Sequence, residues 1–133
     1  TEASPAIIVD LLTASRAEAS GQVADARTAM SRVRISADAT QIYKDLATLK
    51  LAMLDGLGTP DDTRAALEGL TVAGSPFRLL ASEQLALIDI SQGAPDQALE
   101  RLNDILVDNE VTVGLQRRVS QLIVALGQTP GGT

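Results

Sequence analysis

The chain has 133 residues and a formal net charge of −6, with 45% apolar residues, 2% aromatic residues, and no histidine or cysteine. Missing histidine and cysteine exclude Ser-His-Asp and Cys-His catalysis, disulfides and cysteine-based zinc sites. An acidic chain poor in aromatic residues also disfavours nucleic acid, which needs clustered cations or stacking platforms. A core built from Leu, Ala, Ile and Val favours an all-α fold in a single domain over residues 1–133.

The first segment, residues 4–35, predicts a divergent N-terminal helix hairpin after a loose end at residues 1–3. Ser4 is a good N-cap, and Pro5 suits the first helical turn. Ser20-Gly21 marks the break between the two helices. The apolar residues at helical spacing are Ile7, Ile8, Leu11, Leu12, Val23, Ala26, Met30 and Val33. This stripe is the weakest in the chain.

Residues 37–72 predict the first of two clearer helix pairs. A dense apolar pattern runs from Ile42 to Leu54 and indicates burial on more than one side. A glycine-rich turn follows, in which Thr59 and Asp62 have the spacing of a reciprocal capping box around Pro60. Ala66, Leu67 and Leu70 then mark a short partner helix.

Residues 75–107 predict the second pair, and residues 112–127 a C-terminal capping helix. Gly93 and Pro95 turn the chain between the helices of the pair. The last helix has a one-sided stripe that comprises Leu115, Val119, Leu122 and Leu126. Its outer face would carry Gln116, Arg117, Arg118 and Gln121, as solubility of a terminal helix requires. Gly127 would end it, before a frayed tail over residues 128–133.

The two clearer pairs resemble each other. The segment 43–55 can be laid on 77–89 at a constant offset of 34 residues, the difference between Tyr43 and Phe77. This offset matches leucines, alanines and a final Asp, and the pairs share their turn chemistry. A period near 34 is typical of the tetratricopeptide repeat. A plain helical bundle with a coincidental echo is the alternative.

The remaining polar clusters have structural explanations. Asp61 and Asp62 suit the first turn of a helix, where the dipole favours acids. The loop 108–110, Asp-Asn-Glu, lacks the register and glycine of a calcium loop. Arg117 and Arg118 fit a solvated face. We therefore expect no catalytic, cofactor-binding or metal-binding residue, and no enzymatic activity.

Three segments resemble a known family. They are Tyr43-Lys-Asp-Leu-Ala-Thr-Leu-Lys, Ser75-Pro-Phe-Arg-Leu-Leu-Ala-Ser-Glu-Gln-Leu-Ala-Leu and Arg117-Arg-Val-Ser-Gln-Leu-Ile-Val-Ala-Leu-Gly127. Over about residues 40–127 the chain is similar to the tetratricopeptide-like ancillary subunits of the Sec translocon, in their alphaproteobacterial branch. Residues 1–39 match only in being helical and rich in alanine.

The resemblance implies a periplasmic repeat domain of an inner-membrane protein, held by a single membrane-spanning helix upstream of this chain. Its expected partners are the Sec translocon, exported clients or periplasmic chaperones, and it would contact the membrane only through that anchor. The implied role is a scaffold for protein export or chaperone handover.

A helical-repeat scaffold binds on the face lined by the first helix of each pair. Polar side chains on these otherwise apolar helices are the candidates for protein binding: Lys44, Lys50, Arg78 and Gln84. Each could equally be a solvated rim residue. The alternative function is a self-assembling module of a cell-envelope complex without client binding, and a homodimer is possible. An enzyme would need a pocket of convergent carboxylates.

Overall fold

The computed structural model describes residues 5–54 and 56–131. These residues form seven α-helices and no strand, which confirms the all-α prediction. The helices are α1 Pro5–Ala19, α2 Val23–Ile35, α3 Gln41–Leu54, α4 Pro60–Glu68, α5 Arg78–Ser91, α6 Pro95–Leu106 and α7 Val113–Ala125. The predicted N-cap Ser4, the loose end 1–3, the repeat residue Asp55 and the tail residues 132–133 lie outside the described residues. Among the described helices, none is long and apolar enough to cross a membrane.

The chain divides into two compact units, Thr1–Ala66 and Leu67–Thr133. The division falls inside α4 and therefore inside the predicted pair 37–72. In unit 1, α1 packs on α2 and α2 packs on α3. In unit 2, α5 packs on α6 and α6 packs on α7. Each unit therefore places its middle helix between its two neighbours in sequence.

Unit 1 buries a core of aliphatic and small residues. Its buried members are Ile7, Ala14, Ala29, Met30, Val33, Ala39, Ala47 and Leu51. The predicted stripe of α1 is only partly confirmed, because Ile7 is buried whereas Ile8 and Leu12 are exposed. A helix that is apolar on most of its circumference does not specify by sequence alone which side faces the core.

Unit 2 buries one face of each of its three long helices. Its core comprises Ala86, Ala98, Leu102, Ile105, Leu115, Val119 and Ile123. Ala86 and Ala98 are fully buried, and residues without a long side chain let the backbones of α5 and α6 approach closely. Of the predicted α7 stripe, Leu115 and Val119 are buried and Leu122 and Leu126 are half-buried.

The predicted capping box at α4 is present. The backbone N–H of Asp62 donates to Thr59 Oγ1 at 3.1 Å, and the N–H of Thr59 donates to Asp62 Oδ2 at 3.0 Å. Two N–H groups at the helix start are thus satisfied without a long-range partner. At its other end α4 stops at Glu68, so Leu70 lies after the helix rather than in it.

Glycine ends several helices, and Gly93 does so between α5 and α6. Its φ is +75°, and its N–H donates to the carbonyl of Ile90 at 3.1 Å. An L-residue with a side chain adopts this left-handed conformation only at a cost. Gly114, by contrast, lies inside α7 with an ordinary helical backbone.

We predict opposite effects for the same substitution at these two glycines. Gly93→Ala should lower the free energy of unfolding by about 1–2 kcal/mol, because the left-handed turn becomes strained. Gly114→Ala should raise it by about 0.5–1 kcal/mol, because alanine is the better helix former and an added Cβ meets only the Arg118 side chain, at an ordinary contact distance of 3.8 Å. Urea unfolding followed by helical circular dichroism measures both. If both substitutions shifted the free energy of unfolding in the same direction, the left-handed conformation of Gly93 or the helical conformation of Gly114 would be wrong.

Candidate protein-binding surface

The four predicted binding residues form two repeat-equivalent pairs on α3 and α5. Lys44 corresponds to Arg78, and Lys50 to Gln84, each at the 34-residue offset. All four side chains are half-buried. The structure places Lys44 and Lys50 in unit 1, and Arg78 and Gln84 in unit 2.

The apolar positions around them are also equivalent. Ala47 and Leu51 on α3 are 0% and 1% exposed, and their counterparts Ala81 and Leu85 on α5 are both 0% exposed. The two helices therefore bury the same face and leave the same polar positions accessible. The positions that match in the sequence at an offset of 34 residues therefore also match in their burial.

In unit 1, Lys50 reaches another helix. Its Nζ lies 3.5 Å from Oε2 of Glu18 on α1. Both side chains are partly exposed, so solvent screens the pair and it contributes little to stability. The side chain of Lys50 therefore remains partly accessible to solvent, with 38% of its surface exposed.

In unit 2, Arg78 is held by two carboxylates. Its Nη1 and Nη2 donate to Asp108 Oδ2 and Oδ1 at 2.8 and 3.0 Å, and Nη2 also donates to Glu110 Oε2 at 2.9 Å. The guanidinium thereby ties the start of α5 to the loop between α6 and α7. Arg78 is consequently less available to a partner than Lys44, Lys50 or Gln84.

Two buried carboxylates on α5 were not predicted as important residues. Glu83 accepts from Arg118 Nε at 2.9 Å and from Arg118 Nη2 at 3.1 Å. Asp89, which is fully buried, accepts from Arg101 Nε at 2.8 Å. A sequence signal existed, because Glu83 aligns with the apolar Leu49 in the repeat.

Arg118 was expected on the solvated outer face of α7. Its side chain is 48% exposed, in line with that expectation. Its guanidinium also makes two hydrogen bonds to Glu83, whose side chain is only 8% exposed, and this contact was not expected. The pKa of Arg118 is raised, first because of the hydrogen bonds to Glu83. Its neighbour Arg117 is exposed, as expected.

Arg78 and Arg118, each engaged in ion pairs, line a groove of about 270 Å³ between α5 and the start of α7. Pro76, Leu79, Leu80 and Leu115 supply its apolar lining. The groove is small and open, and the carboxylates near it are already engaged by arginines. Its volume lies just below the range of about 300–1,000 Å³ that is typical of small-molecule pockets.

Three of the acidic residues considered from the sequence, Asp62, Asp108 and Glu110, have partners within the chain. Asp108 and Glu110 bind Arg78, and Asp62 caps α4. The capping hydrogen bonds from Thr59 lower the pKa of Asp62. Over residues 5–54 and 56–131, no group of three or more acidic side chains is arranged to hold a metal ion.

In comparisons with known proteins, no family model, no curated protein and no solved structure matches the chain.

The contact of Arg78 with Asp108 predicts that the stability of the fold depends on pH. The hydrogen bonds from Arg78, and next the N–H of Glu110, lower the pKa of Asp108. A lowered pKa in the folded chain stabilises the fold above the unfolded pKa, about 3.9 for Asp. This stabilisation is lost as the pH falls through the folded pKa.

We therefore expect Arg78→Gln to raise the pKa of Asp108 towards its ordinary value, and to weaken the loss of stability in acid. Carboxyl-detected NMR titration measures the pKa directly, and acid unfolding measures the stability. Arg117→Gln is the matched control and should leave both unchanged. An unshifted Asp108 in the Arg78→Gln chain would contradict the forked contact.

Proposed function

We propose that the chain is a non-catalytic scaffold for protein–protein interaction, built from tetratricopeptide-like helix pairs. The observation that carries this proposal is the equivalence of α3 and α5. Both helices bury the same apolar positions and keep the same polar positions half-exposed, at an offset of one repeat length. A function that uses a repeated surface accounts for a repeated pattern of both burial and polarity.

The physical basis is the way helix pairs share their cores. A single hairpin has too little apolar surface to be stable alone, so each pair packs against the next. Within unit 1, α2 packs on α3, the first helix of the next predicted pair, which is compatible with this arrangement. The polar side chains that remain on the first helix of each pair then form the binding face. Lys44, Lys50 and Gln84 are its most accessible members in this proposal.

We further propose where the scaffold acts. The resemblance of residues 40–127 to ancillary Sec-translocon subunits supports a location on the periplasmic side of a bacterial inner membrane, with an anchor outside this chain. The partners would be the translocon, exported clients or periplasmic chaperones. A chain without cysteine is compatible with an oxidising compartment but does not by itself select one.

The test is photocrosslinking in intact cells of the native host. A photoreactive residue at Lys44, Lys50 or Gln84 should give adducts with translocon subunits or exported proteins, because these side chains would line the binding face. The same residue at Gln116 or Arg117, exposed on α7, provides the control.

The binding positions should exceed the control by several-fold. Equal yields at all five positions would show that α3 and α5 do not form a binding face. Adducts between copies of the chain alone would instead support the alternative, a self-assembling module without clients. Adducts with periplasmic proteins outside the export machinery would keep the scaffold and reject its link to export.

A further inference from the structure

We draw no further inference here: the strongest candidate, the exposed aliphatic face of α1 that Ile8, Val9 and Leu12 form, carries none because nothing in the structure shows what covers it.

Discussion

The arrangement of unit 2 depends on the pairing of two carboxylates on α5, Glu83 and Asp89. A carboxylate removed from water is costly unless a cation and good hydrogen-bond geometry compensate for it. Arg101 on α6 supplies the cation for Asp89, and Arg118 on α7 supplies it for Glu83. We expect these pairs to favour one register of α6 and α7 against α5, because each carboxylate is compensated only where its arginine lies within reach. In unit 1, the ion pairs of Arg32 with Asp10 and of Lys50 with Glu18 are more exposed, and the core is built from aliphatic and small residues.

This constraint bears on the proposed function. Within unit 2, ion pairs that hold α5 in place also hold its polar side chains, which lowers the entropy lost if a partner docks on α5. Arg78 shows that a polar side chain can serve the fold instead of a partner. It was predicted as a binding residue, yet its three hydrogen bonds to Asp108 and Glu110 make it a brace between α5 and the loop before α7. Lys44 and Gln84, which are half-exposed, remain better suited to a partner.

Local physics explains which features the sequence could predict. The helix starts at Thr59 and Pro95 and the turns at Gly21 and Gly93 depend on neighbouring residues, so short sequence patterns predicted them. The ion pairs could not be predicted, because Arg118 lies 35 residues from Glu83 and Arg78 lies 30 residues from Asp108. The face of α1 was also ambiguous. Its apolar residues surround most of the helix, and only the packing on α2 decides that Ile7 is buried and Leu12 exposed.

The most direct test of the central claim is a double-mutant cycle between Glu83 and Arg118, with Ala at each position. If the buried carboxylate and the guanidinium hold α5 and α7 in register, the two substitutions should couple by about 1–3 kcal/mol in the free energy of unfolding. The same cycle with Arg117, exposed beside Arg118, should give no coupling. Additivity of Glu83 and Arg118 within about 0.5 kcal/mol would contradict the account.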